Sequence, residues 1–187
     1  MIFSQRLLAA SIFGGSILTM NFAFAGQVDA FTEKLSQQLP PENQCLTKAY
    51  VVDASEKGLN IRQKPNLSGK ILGRLPKNTQ VNVLGMQGEW ILISVVDPIA
   101  QKVDFSKEGW VYSSLLGVSS KGYNRTSVSL YSQPSFRSRV VGKIPPSTET
   151  NILGCSGKWL RVDSKQHHYK GWLEPKQQCA VAYTSCS

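Results

Sequence analysis

The sequence predicts an all-β protein: two tandem small β-barrels, behind a short N-terminal helical segment. Three observations carry this. The chain repeats itself at an offset of 69 residues, its apolar residues alternate over short stretches, and Gly and Pro separate those stretches. Neither copy of the repeat shows a long helical period.

The first 25 residues read as a secretory signal. Arg6 is the only charge ahead of an apolar run from Leu7 to Met20, and Ala23-Phe24-Ala25 supplies a small-residue cleavage pattern with Gly26 as the new N-terminus. The run is also long enough to serve as an uncleaved anchor, but the cleavage pattern favours removal. Residues 26–48 form the N-terminal segment. There Phe31, Leu35 and Leu39 recur at four-residue spacing, as on one face of a short helix, which Pro40-Pro41 would end.

The repeat follows. Leu59–Ser94 lies over Val128–Asp163 without a gap, and nine of the 36 positions are identical, among them Pro65/Pro134, Gly73/Gly142, Thr79/Thr148, Gly85/Gly154 and Trp90/Trp159. The match resumes at Gly109-Trp110 and Gly171-Trp172 with an offset of 62, so the first copy holds seven extra residues between Ser94 and Gly109. In each copy the same strands are expected. Leu59–Arg62 and Val128–Tyr131 alternate apolar and polar, and Pro65 and Pro134 end them, because proline cannot donate to a ladder. Ile71–Leu75, Val81–Leu84 and Trp90–Ile93 follow, with turns at Asn78 (Ser147) and from Gly85 to Gly88, and a last strand after Gly109 (Gly171). Five short strands in so short a span indicate a small closed barrel. The expected boundaries are 49–117 for the first barrel, 118–124 for a flexible linker, 125–180 for the second barrel and 181–187 for a tail.

Four cysteines remain after the leader: Cys45, Cys155, Cys179 and Cys186. An even number in an exported chain suggests two disulfides, with three pairings open. The favoured pairing is Cys155 with Cys179 inside the second copy, which leaves Cys45 with Cys186. No metal site is expected, since there is no C-x-x-C and the only histidines are the neighbours His167 and His168.

The net charge of +9 is uneven: residues 118–187 hold ten Lys or Arg against three acids, whereas residues 50–117 hold eight against six. The second half therefore presents a positive field that attracts polyanions.

The run L-N-I-R-x-x-P, then I-x-G-x-L-P, then V-x-V-L-G-x-x-G-x-W, then G-W-V, from Leu59 to Leu116, resembles the bacterial SH3 (SH3b) domain family. The second copy, from Val128 to about Pro175, is similar but more diverged. Two departures stand out. Asn78 and Ser147 hold a turn where the family usually has glycine, and Tyr131 replaces the typical Arg62 of the first copy. The resemblance implies SH3-like barrels that target cell-wall material, and that the two copies differ in ligand or that one alone binds.

No catalytic constellation is legible. A hydrolase needs a nucleophile, a base and an orienting group. The two histidines fall in an expected hairpin loop, and the acids are too scattered for a carboxylate pair. The candidates for ligand binding are Arg62 and Trp90 in the first copy, and Tyr131, Trp159, Arg137 and Arg139 in the second. Arg62 and Tyr131 point opposite to Ile61 and Leu130, so they face outward. Trp110 and Trp172 open the closing strand and are expected in the core. The expected function is a non-catalytic binding module, periplasmic or secreted. Its partner would be peptidoglycan or another anionic envelope polymer, or else an envelope protein engaged as by an adaptor. No nucleic acid, cofactor, metal or membrane span beyond the leader is expected.

Overall fold

The computed structural model describes residues 34–122 and 127–181, so the leader, Phe31, the end of the expected linker and Cys186 lie outside the described residues. The first copy comprises β1 (Gln44–Val51), β2 (Leu59–Arg62), β3 (Ile71–Leu75), β4 (Gln80–Gln87), β5 (Trp90–Val95) and β6 (Gly109–Tyr112). A 3-10 turn at Ser113–Leu115 leads into β7 (Leu116–Ser120). The second copy comprises β8 (Val128–Tyr131), β9 (Val140–Ile144), β10 (Glu149–Ser156), β11 (Trp159–Ser164) and β12 (Tyr169–Leu173), then a 3-10 turn at Pro175–Gln177 and β13 (Gln178–Cys179). The named strands pair antiparallel throughout, in the order β3-β2-β6-β5-β4-β1-β7-β10-β11-β12-β8-β9, with β13 beside β7.

Alternation places one face of each strand inward. Ile61, Leu75, Val83, Ile93 and Val111 come from five different strands, are fully buried, and belong to one contact cluster. Leu130, Ile144, Ile152, Val162 and Leu173 do the same in the second copy. The cluster takes in residues of both copies, so their inward faces share one continuous apolar core. Each such side chain contributes about 1.5–3 kcal/mol on burial.

The identities in the repeat have local causes. Thr79 and Thr148 each donate from Oγ1 to the carbonyl of Pro76 and Pro145, at 2.8 Å, and so close the same turn. Leu84-Gly85 and Leu153-Gly154 mark the same β-bulge, where the ladder of β4 on β5, or of β10 on β11, slips by one residue. Gly85 thus lies within β4 and does not begin a turn. The reversal is confined to Gly88 and Glu89, with Gly88 at φ +59°. The extra residues of the first copy bring Phe105 onto Gly73, where the second copy lays Tyr169 on Gly142.

Three expectations need correction. Among the described residues of the N-terminal segment, which begin at Lys34, the helical structure is a 3-10 turn at Leu35–Gln38 and a second one at Pro41–Asn43. Leu35 and Leu39 nevertheless pack on Leu92 and Trp110 outside the first barrel, and Glu108 accepts hydrogen bonds from Ser36 N and Oγ at 2.8 Å. Trp110 is accordingly buried in this outer cluster, while Trp172 is half-buried.

The second correction concerns residues 118–120, which are not linker but the end of β7. This strand serves both copies. Tyr50↔Gly117 joins it to β1, and Ser119↔Glu149 and Val118↔Thr150 join it to β10. The pairing with β10 repeats, at the 69-residue offset, the pairing of β1 with β4 at Tyr50↔Gln80 and Ala49↔Val81. β13 in turn pairs with β7 at Cys179↔Ser119, as β7 pairs with β1. β7 therefore closes the first barrel and opens the second.

The third correction is the disulfide. Cys45 is bonded to Cys155, with 6.0 Å between their Cα atoms, which excludes both the Cys155–Cys179 and the Cys45–Cys186 pairings. The reason is the path of β1: Leu46 N donates to Gly157 O at 2.8 Å, so the start of β1 runs beside the β10–β11 turn of the other copy. Cys179 is also disulfide-bonded.

Candidate binding grooves

A groove of about 640 Å³ opens on the first copy, between the loop after β2, the β4–β5 turn and the 3-10 turn after β6. Asp53, Arg62, Leu67, Glu89, Trp90 and Tyr112 line it with their neighbours. Trp90 and Tyr112 pair edge to face across β5 and β6, with centroids 5.7 Å apart and planes at 78°. Trp90 is half-buried because its inner side rests on the Leu39–Leu92–Trp110 cluster.

Strand alternation brings Arg62 to the groove, and one nitrogen of its guanidinium is engaged by the loop. Nη1 donates to the carbonyls of Leu67 at 2.7 Å and Gly69 at 2.9 Å, which pins the loop from Gln63 to Lys70 as the groove's wall. Two acidic residues that the sequence reading did not single out stand there too. Glu89 hydrogen-bonds the Tyr112 hydroxyl, and this bond raises the phenol above its ordinary pKa. Asp53 accepts from Ser55 N at 2.9 Å. Neither is kept by the second copy, which has Lys158 and Gly122 at the 69-residue offset.

The corresponding place in the second copy is built differently. Tyr131 stands at the position of Arg62, Phe136 at that of Leu67 and Trp159 at that of Trp90. The three rings touch one another. Centroids are 6.0 Å apart for Tyr131–Phe136, 5.6 Å for Tyr131–Trp159 and 4.9 Å for Phe136–Trp159. Phe136 is 61% exposed. With no arginine to pin it, the loop from Ser132 to Arg139 is held by Ser138, whose Oγ donates toward the carbonyls of Gln133 and Ser135 at 3.0 and 2.8 Å. Arg137 and Arg139 lie exposed on this loop. Lys158 and Gly122 occupy the places of Glu89 and Asp53, and Glu174 that of Tyr112.

The structure thus brings Arg62 together with Trp90, and Tyr131 with Trp159, but keeps the two sets on separate copies. His167 and His168 lie in the turn between β11 and β12. Among the described residues no group of His, Cys, Asp and Glu side chains is arranged to hold a metal ion, and no helix is long and apolar enough to cross a membrane.

The chain is similar to the putative N-acetylmuramoyl-L-alanine amidase YrvJ of Bacillus subtilis, 23% identical over 141 residues. The match takes in 69% of this chain but only a quarter of that protein's length. Among solved structures it is similar to the CBD of endolysin LysPBC5, at 18% identity with a TM-score of 0.31, covering 76% of this chain and 99% of that one. It is also similar to NlpC1 from Trichomonas vaginalis, at 17% identity with a TM-score of 0.30, covering 75% of this chain and 47% of that one. Neither structural likeness is close. The family model for the bacterial SH3 domain matches twice, at residues 57–117 and 126–176, which is more than half of the chain: the protein belongs to the bacterial SH3 domain family and carries two copies of the domain.

Proposed function

We propose that the protein is a non-catalytic binding module of the bacterial envelope, and that its ligand is peptidoglycan, its stem peptides or another anionic wall polymer. The observation that carries this reading is the aromatic groove on the first copy of a bacterial SH3 domain pair, with half-buried Tyr131 and Trp159 and exposed Phe136 at the matching place. The similarity to a chain named as an amidase of N-acetylmuramoyl-L-alanine points the same way, since that bond joins glycan to stem peptide in the wall. The ligand contacts would come from Trp90 and Arg62 on one copy, and from Tyr131, Trp159, Arg137 and Arg139 on the other. Two sites in one chain raise avidity through effective concentration.

The non-catalytic part of the reading rests on the cysteines. Cys45, Cys155 and Cys179 are all disulfide-bonded, so none of them is a thiolate nucleophile. The disulfide also fits an oxidising compartment, periplasmic or extracellular.

The test is retention of the full chain on purified sacculi in rising salt. The expected outcome is retention at low salt, reduced about tenfold by Trp90→Ala or Tyr131→Ala, since a stacking aromatic at a binding centre typically carries that much. No retention at low salt rejects the reading. Recovery of one dominant cross-linked envelope protein, without wall binding, would favour an adaptor instead.

A further inference from the structure

The groove of the first copy and the ring cluster of the second stand at matching positions of one repeat, so their differences bear on what the groove accepts. Groove one has carboxylates at two edges, Asp53 and Glu89, in a chain whose net charge is +9. Its one cationic side chain, Arg62, hydrogen-bonds the loop carbonyls of Leu67 and Gly69 through Nη1. The single ion pair among the described residues is Lys170–Asp163 on the second copy, so neither groove carboxylate has a cationic partner within the described protein. The rings of Trp90 and Tyr112 line the same groove, and their π-systems attract a cation. The second copy keeps the tryptophan as Trp159 but has Gly122, Lys158 and Glu174 at the places of Asp53, Glu89 and Tyr112.

From this juxtaposition we infer that groove one is an ammonium-accepting site, which takes a peptide segment bearing a free side-chain amine, and that the second copy does not share this specificity. The amine would sit over the Trp90–Tyr112 pair, with Glu89 and Asp53 as its counter-ions. The Tyr112 hydroxyl holds Glu89 in place for this. The inference rests on reading groove one as a binding site, and it narrows that site to the amine-bearing part of a wall peptide.

The test uses the full chain and a capped peptide, N-acetyl-Ala-Glu-Lys-Ala-amide, with a second form in which the lysine is acetylated. Binding is read from the indole N–H signals of the four tryptophans. Acetylation is expected to weaken binding about tenfold, and Glu89→Gln with Asp53→Asn to weaken binding of the free-amine form by a similar factor. Glutamine at 89 keeps an acceptor for Tyr112, so the ring pair stays in place. Glu56→Gln removes the same charge from an exposed loop outside the groove and is expected to change nothing. Equal binding of the two peptides, or an equal effect of Glu56→Gln, overturns the inference. Sacculi treated with acetic anhydride separate it from the broader reading. Unchanged retention of the protein on them sinks ammonium recognition but leaves wall binding standing. No retention on any sacculi sinks wall binding, and the peptide titration still decides what groove one accepts.

Discussion

Ser147 adopts φ +57° in the turn before β10, and Asn78 adopts φ +70° at the matching place before β4. Asparagine visits this left-handed region at little cost, whereas serine, with its Cβ against the carbonyl, does not. The family's usual glycine would be relaxed at both. Ser147→Gly is therefore expected to raise stability by about 0.5–1 kcal/mol, and Asn78→Gly to change it far less, as measured by urea denaturation. The sequence made the turn legible, but not its handedness, because serine and asparagine enter turns of several types.

A second residue of consequence is Tyr50, which is fully buried at the junction of β1 and β7. Its hydroxyl lies 2.7 Å from Ser119 Oγ, and 3.3 Å from Glu149 Oε2, to which it donates. Burial, aided by the nearby Glu149 carboxylate, pushes its pKa from 10.0 up to about 12. Below pH 10 the folded and unfolded chains both keep this proton, so the contribution to stability is level and complete. Between pH 10 and about 12 the unfolded chain releases its proton first, and stability falls as pH rises. Tyr50→Phe is expected to cost about 1 kcal/mol at neutral pH through the lost hydrogen bonds, and to flatten the decline above pH 10. Urea midpoints across that range for both proteins check this.

Among the elements, the loop walls show how one topology tolerates different chemistry. Arg62 holds the loop of the first copy by two hydrogen bonds, while Ser138 and a trio of rings hold that of the second. Arg62→Ala is expected to cost about 1–2 kcal/mol and to speed hydrogen exchange at Gln63, whose N–H bonds Lys70 O at 2.9 Å. Exchange that stays slow would mean the loop does not need the guanidinium. The strands themselves were legible, since Leu59–Arg62, Ile71–Leu75 and Val128–Tyr131 fall where alternation places them. The exceptions have physical causes. Gly85 looked like a turn because a bulge glycine and a turn glycine read alike. The leucines at 35 and 39 keep a helix-like spacing, yet the turn between them is 3-10 and the chain is already extended at Leu39, ahead of Pro40 and Pro41.

On the scale of the molecule, the groove was half legible. Arg62 could be named from its outward register and Trp90 as an aromatic of the repeat, but Asp53 and Glu89 could not, because a lone acid in a loop reads as solvated until its neighbours are known. The union of the copies was not legible at all. Tyr50 and Val51 match Ser119 and Ser120 at the 69-residue offset without a single identity, so the repeat seemed to begin later than it does. The Cys45–Cys155 bond followed from that same union. It spans 110 residues of sequence, and a cross-link of that span removes much of the freedom of the unfolded chain. Cys45→Ala with Cys155→Ala is expected to lower stability by about 3–5 kcal/mol, read as the shift in urea midpoint under non-reducing conditions.

Strand β7 also bears on how this protein can be taken apart. A cut before Leu116 deprives the first barrel of its last strand, and a cut after Ser120 deprives the second of its first. Anyone transplanting one copy into another protein must carry those five residues along, and whichever copy is left behind is incomplete.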